Sequence, residues 1–246
     1  MQTRKEKHKS KMTIDISFNV YTDANGGDPD STSPTLRSYH KMLWSKKLPN
    51  GELFELTDKK IGTYLYHKSG LGEYFLGSDA ITHSYRNHKS KTWLSQQIHD
   101  EVQELFDAGS TIGAYTLFPN NRIDKQHTIN QARGVNSFID DRFDLTLECL
   151  RLFYVGEQSP LYDTFLRYKD FFSLFGNFKG YINFFLLNDL IDKNENIRFY
   201  LPFDNFKTKP TFTDLDEYLL YKKRVMDFIN ARNKRIDEYA KQLTTV

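Results

Sequence analysis

Two polar segments of the chain carry side chains whose types and spacing suit chemistry. The first runs Asp28-Pro29-Asp30 and then Ser33-Pro34-Thr35-Leu36-Arg37-Ser38-Tyr39-His40. A hydroxyl residue followed by proline is a helix start, and the N–H groups exposed at such an end can hold an anion. His40 lies a turn or two into that helix and titrates near neutral pH, which makes it a candidate catalytic acid or base. The competing role for His40 is a half-buried, hydrogen-bonded packing residue.

The second segment runs Phe118-Pro119-Asn120-Asn121-Arg122-Ile123-Asp124, then Thr128-Ile129-Asn130-Gln131-Ala132-Arg133-Gly134-Val135-Asn136. It leaves the end of a predicted strand and enters a helical region, a common position for ligand sites in mixed folds. Arg122 and Arg133 present planar forks suited to phosphate or carboxylate, and Asn130 and Asn136 add neutral hydrogen bonds. The same arginines would serve equally as braces, paired with Asp140, Asp141 or Asp144 nearby in sequence.

Common catalytic signatures are missing. There is no G-x-x-x-x-G-K-[ST], no G-x-S-x-G and no H-E-x-x-H. Gly70 and Gly72 begin a dinucleotide fingerprint, but Phe75 occupies the third glycine's place. His83 and His88 stand five apart in a basic stretch with no acidic residue near, so a solvated loop is expected rather than a metal site. No cofactor motif is found. The single Cys149 lies beside Leu147 and Leu150, where burial rather than nucleophilic work is expected, and it excludes an internal disulfide.

Charge narrows the partners. Residues 1–12 hold five Lys/Arg against one Glu, and the other 234 carry 29 basic and 31 acidic side chains. The body is therefore near neutral, which makes nucleic acid an unlikely partner. The leader is read as a disordered basic tail, with Met12 as an alternative start. No stretch approaches a membrane span or a secretory signal, so a cytoplasmic location without membrane partners is expected.

Elements that would position these residues follow from periodicity. Ile14, Ile16, Phe18 and Val20 alternate as in a half-buried strand. A helix follows Ser33, and Leu48-Pro49-Asn50-Gly51 turns after it. Short strands are expected at Leu53–Leu56, Thr63–Tyr66, Tyr74–Leu76 and Ile112–Phe118. Helices are expected around Ile98–Leu105, Phe143–Tyr154, from Ser159-Pro160 to Phe175, over the apolar run Tyr181–Ile191, and from Thr213 to about Leu243. The pattern predicts an α+β fold in one domain over 13–246. Its short strands fall mainly in the N-terminal half, with a helix-rich C-terminal half and a long last helix. That helix carries Lys223, Arg224, Lys234 and Arg235 opposite its apolar stripe, read as a solvated face.

The segments Ser33-Pro34-Thr35-Leu36 through Tyr39-His40, Leu43-Trp44-Ser45-Lys46 and Leu48-Pro49-Asn50-Gly51 resemble a family of bacterial proteins known as a domain of unknown function. The likeness continues through Asn121-Arg122-Ile123-Asp124, Thr128-Ile129-Asn130 with Ala132-Arg133-Gly134, Asp144–Cys149 and Phe184–Leu187. It implies one domain and no particular activity. On the residues alone, the expected ligand is an anionic small molecule: a phosphate-bearing compound or nucleotide gripped by Arg122, Asn130 and Arg133, with His40 acting on it. An enzyme of phosphoesters, RNA included, is the sharpest form of this expectation. The rival is a non-catalytic interaction protein, a homo-oligomer formed through the last helix.

Overall fold

The computed structural model describes residues 13–58, 65–70, 72–83, 85–86 and 91–243. The basic leader and His88 lie outside the described residues.

Local sequence sets the first elements. Asp28 accepts from the Asp30 N–H and opens α1 (Pro29–Thr32). Ser33 then caps α2 (Pro34–Trp44), its hydroxyl accepting from the Leu36 N–H. A small antiparallel pair follows, β1 (Lys46–Lys47) with β2 (Leu53–Phe54), joined through Gly51 at a positive φ that favours glycine. The main sheet is antiparallel and ordered β3-β4-β5, from Leu65–Ser69, Gly72–Ala80 and Tyr115–Pro119. Between β4 and β5 lie α3 (Thr92–Gln97), α4 (His99–Gly109) and a 3-10 turn at Ile112–Ala114.

The rest of the described chain is helical or irregular: α5 (Ile129–Val135), α6 (Phe143–Tyr154), α7 (Tyr162–Arg167), α8 (Lys169–Ser173), α9 (Phe178–Phe184) and the long α10 (Leu215–Leu243). The fold is α+β, with strands in the first half and a long last helix. An aromatic layer fills its C-terminal part. Phe165, Phe171, Phe172 and Phe175 are fully buried, with Phe165–Phe172 centroids 5.1 Å apart and Phe171–Phe175 5.3 Å apart in edge-to-face contact. α10 is tied across this core by Arg232, which donates to the carbonyls of Gly113 and Tyr115 at 2.8 Å and of Phe185 at 2.9 Å. Asn233 adds a bond from the Gly113 N–H at 2.7 Å, and a Cβ on Gly113 would lie 2.5 Å from the same oxygen. Only glycine fits there. Among the described residues no helix is long and apolar enough to cross a membrane.

Several expected elements differ. Residues 14–20 form turns rather than a strand, although Ile14 and Val20 are buried as their alternation predicts. Asp15 and Asn19 fold back to accept from the backbone N–H groups of Ser17 and Tyr21 at 2.9 Å, offering the chain a local alternative to a ladder. The helix expected from Ser159-Pro160 begins at Tyr162 and breaks at Tyr168, whose hydroxyl instead donates to the Asn121 carbonyl at 2.9 Å. The apolar helix at Tyr181–Ile191 ends at Phe184, because Leu186 takes a left-handed conformation. β4 is longer than predicted and reaches Ala80, which places Ser78 and Asp79 inside the sheet.

Candidate functional site

The last turn of β4 is where the polar groups meet. Gly77 lets Asn120 pack against the strand: a Cβ there would approach the Asn120 amide at 2.8 Å. Ser78 follows, and His40 Nε2 lies 2.9 Å from its hydroxyl. The other imidazole nitrogen, Nδ1, accepts from the Trp44 indole N–H at 3.0 Å. Since Nδ1 accepts, Nε2 carries the proton and donates to Ser78. His40 is 1% exposed, and burial, with help from Arg232 and Arg37, pushes its pKa down to about 3. It is neutral at physiological pH and has both nitrogens engaged, so it holds the Ser78 hydroxyl in place rather than exchanging protons.

Asp30, brought by α1, lies beside that hydroxyl. Burial raises its carboxyl to about 6, opposed by the neighbouring Ser78 hydroxyl and Ala80 N–H and reinforced by the charges of Asp28 and Asp141. Its Oδ1 is buried with no hydrogen-bond partner. Next along β4, Asp79 forms an ion pair with Arg133. Arg133 is fully buried, and its remaining donors go to the Thr146 hydroxyl at 2.9 Å and the Asp141 carbonyl at 3.0 Å. Burial works against the guanidinium charge, but Asp79 and Asp141 outweigh it and hold its pKa above the ordinary value. Asp140 and Asp141 both have positive φ, an uncommon pairing that turns the Asp141 carboxylate back toward Arg133 at 3.3 Å.

Three of the residues expected from sequence therefore converge on Ser78 and Asp79: His40, Arg133 and Asn130. The Asn130 amide donates to the Ser78 carbonyl at 3.5 Å, and its Oδ1 is buried without a partner. The other two stand apart. Arg122 is exposed and makes no side-chain hydrogen bond or ion pair among the described residues. Asn136 ends α5 and braces two loops, donating to the Pro160 carbonyl at 3.2 Å and accepting from the Phe138 N–H at 2.9 Å. The α2 N-terminus, a candidate anion seat, is filled by the chain's own Asp23, which accepts from the Thr35 N–H at 3.0 Å and contacts the Ser33 hydroxyl at 2.5 Å. Asp144 pairs with Arg142 at 2.5 Å rather than with Arg122 or Arg133. Cys149 is buried, which pushes its thiol up to about 12 and leaves it protonated.

A cleft of about 220 Å³ opens beside this centre, lined by Tyr21, Ala80, His83, Phe106, Tyr115 and Asp141. Burial raises the Tyr21 and Tyr115 hydroxyls, and the charge of Asp30 adds to the shift in both, which places the acid close to the cleft wall. A second cleft of about 450 Å³ lies along α10, lined by Arg198, Phe199, Arg224, Asp227 and Phe228 among others. Among the described residues no group of three His, Cys, Asp or Glu side chains is arranged to hold a metal ion.

Ser78 and Asp79 were missed from sequence because the strand was ended at Leu76. Asp30 was within the polar segment singled out, yet nothing in its neighbours signals burial; only the packing of α1 on β4 does that. Compared with known proteins, the chain matches one family model over residues 14–236. No curated protein and no solved structure matches it.

Proposed function

The chain belongs to DUF6994, a family of unknown function, so the activity has to be read from the site, and we propose an enzyme in which Asp30 exchanges a proton with a small substrate held in the Tyr21–Tyr115 cleft. The observation that carries this reading is the Asp30 carboxyl itself. One of its oxygens is buried and unpartnered, and its pKa of about 6 suits proton transfer near neutrality. Trp44, His40 and Ser78 form a line of hydrogen-bonded groups behind it, fixing the hydroxyl that faces the acid. Asp79 and Asp141 share one buried cation, Arg133, and Asp30 adds a third carboxyl close enough to Asp79 to act on its charge. That balance favours a neutral or cationic substrate over a phosphate, which like charge would repel. Tyr21 and Tyr115 supply rings suited to an apolar or cationic group, beside Phe106, whose ring is covered by the Arg86 guanidinium at 4.5 Å.

The test begins with a carboxyl NMR titration of Asp30, expected to show a midpoint near 6. A hydrolysis screen of neutral and cationic esters, amides and glycosides should then yield turnover that follows the same ionisation and is lost in Asp30→Asn. An ordinary titration near 4, or full turnover in Asp30→Asn, would sink the reading.

A phosphate-bearing ligand, the class expected from sequence, has its support in the larger cleft. There Arg224 donates to the Phe199 and Tyr200 carbonyls at 3.0 and 3.2 Å, which fixes its guanidinium beside Arg198 and two phenyl rings. Thermal stabilisation by nucleotides, lost in Arg224→Ala but kept in Asp30→Asn, is the outcome expected of this second reading.

A further inference from the structure

Lys46 stands in β1, two residues past the end of α2, and its ammonium nitrogen sits among three aromatic rings. Nζ lies 4.9 Å from the Trp44 ring centroid, 4.7 Å from Phe184 and 4.6 Å from Tyr239. Among the described residues no carboxylate and no hydrogen-bond acceptor engages it. Other buried or half-buried lysines differ: Lys222 meets Glu101 and Glu104, Lys41 meets Asp58, and Lys91 reaches the Thr211 hydroxyl at 2.6 Å.

The charge that acts on Lys46 is also positive. Arg232 is fully buried, its Cζ lies 5.8 Å from the same Trp44 ring, and it is held by three carbonyls with no carboxylate partner. Its Nε has no hydrogen-bond partner at all. Two cations thus lie near one indole, and the carboxylate that acts on Arg232, Asp189, is engaged by Arg235. The rings favour a charged ammonium, but burial and then the Arg232 charge act against it and bring the amine down to about 7. A substantial part of Lys46 therefore presents a neutral lone pair at physiological pH, half-buried and bonded to nothing.

We propose that Lys46 is a covalent modification site, at which the neutral amine adds to carbon dioxide to give an N-carboxylated lysine. The nitrogen lone pair forms the N–C bond, one C–O π pair moves onto oxygen, and the nitrogen loses a proton to solvent. No oxidant or reductant is needed. Carbon dioxide suits the cage because it is small and apolar, and the product suits it because the carbamate is a planar anion placed within the field of Arg232, whose Nε has no hydrogen-bond partner. The modification would exchange a repulsive pair of cations for an ion pair and tighten the contact between β1 and α10. A larger carbonyl compound would use the same lone pair but gain nothing from Arg232.

The experiment uses the full chain, equilibrated with ¹³C-bicarbonate near neutral pH, treated with a trialkyloxonium reagent that converts carbamates to stable esters, and mapped by peptide mass. The expected result is a labelled ester on Lys46 at about tenfold or more the level of any surface lysine, because its neutral fraction is so much larger. Label spread evenly over lysines, or none on Lys46, would overturn the proposal. Lys46→Arg should abolish the site, together with any bicarbonate-dependent rise in Tm. Should that variant fail to fold, competitive labelling of wild type with acetic anhydride decides independently. Lys46 is expected to react with a midpoint near 7, and an amine inert until the ordinary lysine range would refute the assignment.

Discussion

Arg133 and Arg232 are both completely buried, yet they are solved by the fold in opposite ways. Arg133 meets the Asp79 carboxylate, the Asp141 carbonyl and the Thr146 hydroxyl, and its pKa is raised. Arg232 meets only backbone carbonyls, and burial lowers its pKa to about 10. The difference lies in what each charge organises. Around Arg133 the carboxylates outnumber the cation, and burial with the neighbouring negative charges raises the carboxyls of Asp30 and Asp79. Among the described residues Arg232 bonds no acid, Asp189 acting on it only through its charge while pairing with Arg235, so the guanidinium acts as a three-pronged clamp joining α10 to β5 and α9. On the proposed function, carboxylates close to a cleft make a proton-exchanging centre, whereas neutral carbonyls in a dry core make a brace.

Removing the ion-pair arginine is expected to have the largest effect. Arg133→Ala strands Asp79 in a buried site, a loss of about 3–5 kcal/mol at mildly alkaline pH. The penalty should shrink as pH falls, since burial already raises Asp79 and a protonated acid no longer needs a partner. Arg133→Met with Asp79→Asn should recover more than half of it, the pair having been replaced as a unit. Urea unfolding across pH measures both. A pH-independent loss with no recovery would show that Arg133 acts through packing alone.

Arg232→Met tests the other half of the contrast. It leaves the carbonyls of Gly113, Tyr115 and Phe185 without a donor, at about 1–3 kcal/mol, and exposes no lone carboxylate. Its loss should therefore be flat with pH between about 4 and 6, a window that avoids the titrations of His40 and Lys46, the two groups whose pKa values Arg232 helps to lower. A strong pH dependence would reveal an acid partner and dissolve the distinction between the two arginines.

How much of this was legible in sequence follows from the range over which each signal acts. The Ser33 cap, the α2 helix and the Phe143–Tyr154 helix depend on neighbours within a turn or two, and they stand as predicted. The strand at 14–20 failed because alternation reports burial and not ladder pairing. His40, Asn130 and Arg133 are gathered in the sequence by residue type and meet at Ser78 and Asp79, but what each does depends on partners 38, 52 and 54 positions away. Sequence spacing holds no record of that. The same limit hid Lys46, whose cage joins β1, α9 and α10.

Asp30→Asn should move stability in the opposite direction to the arginine variants. The folded-state pKa of Asp30 is raised above its ordinary 3.8 to about 6, so its contribution is present below the unfolded value and lost as pH rises through 6. Asparagine cannot ionise and avoids that loss. The variant should match wild type near pH 3.5 and exceed it by about 1–3 kcal/mol at pH 8. Equal stability at both would mean that Asp30 is better solvated than its position on β4 implies, and the proton-exchange proposal would fall with it.

The smallest effect is expected at Arg122, and its smallness is informative. The side chain is exposed and has no partner among the described residues, so Arg122→Ala should change stability by less than about 0.5 kcal/mol. Arg122 entered the candidate list beside Arg133 on the same reasoning, yet one projects into solvent while the other is enclosed by β4, α5 and α6. If Arg122 nonetheless grips an anion, wild type should gain thermal stability with millimolar phosphate or nucleotide, and Arg122→Ala should lose that gain while melting normally in its absence. Equal response in wild type and variant assigns the anion elsewhere, and Arg224→Ala then becomes the variant expected to lose it. A response lost in Arg122→Ala and kept in Arg224→Ala would instead return the phosphate site to the segment after β5, at the protein surface and separate from the carboxylates of β4.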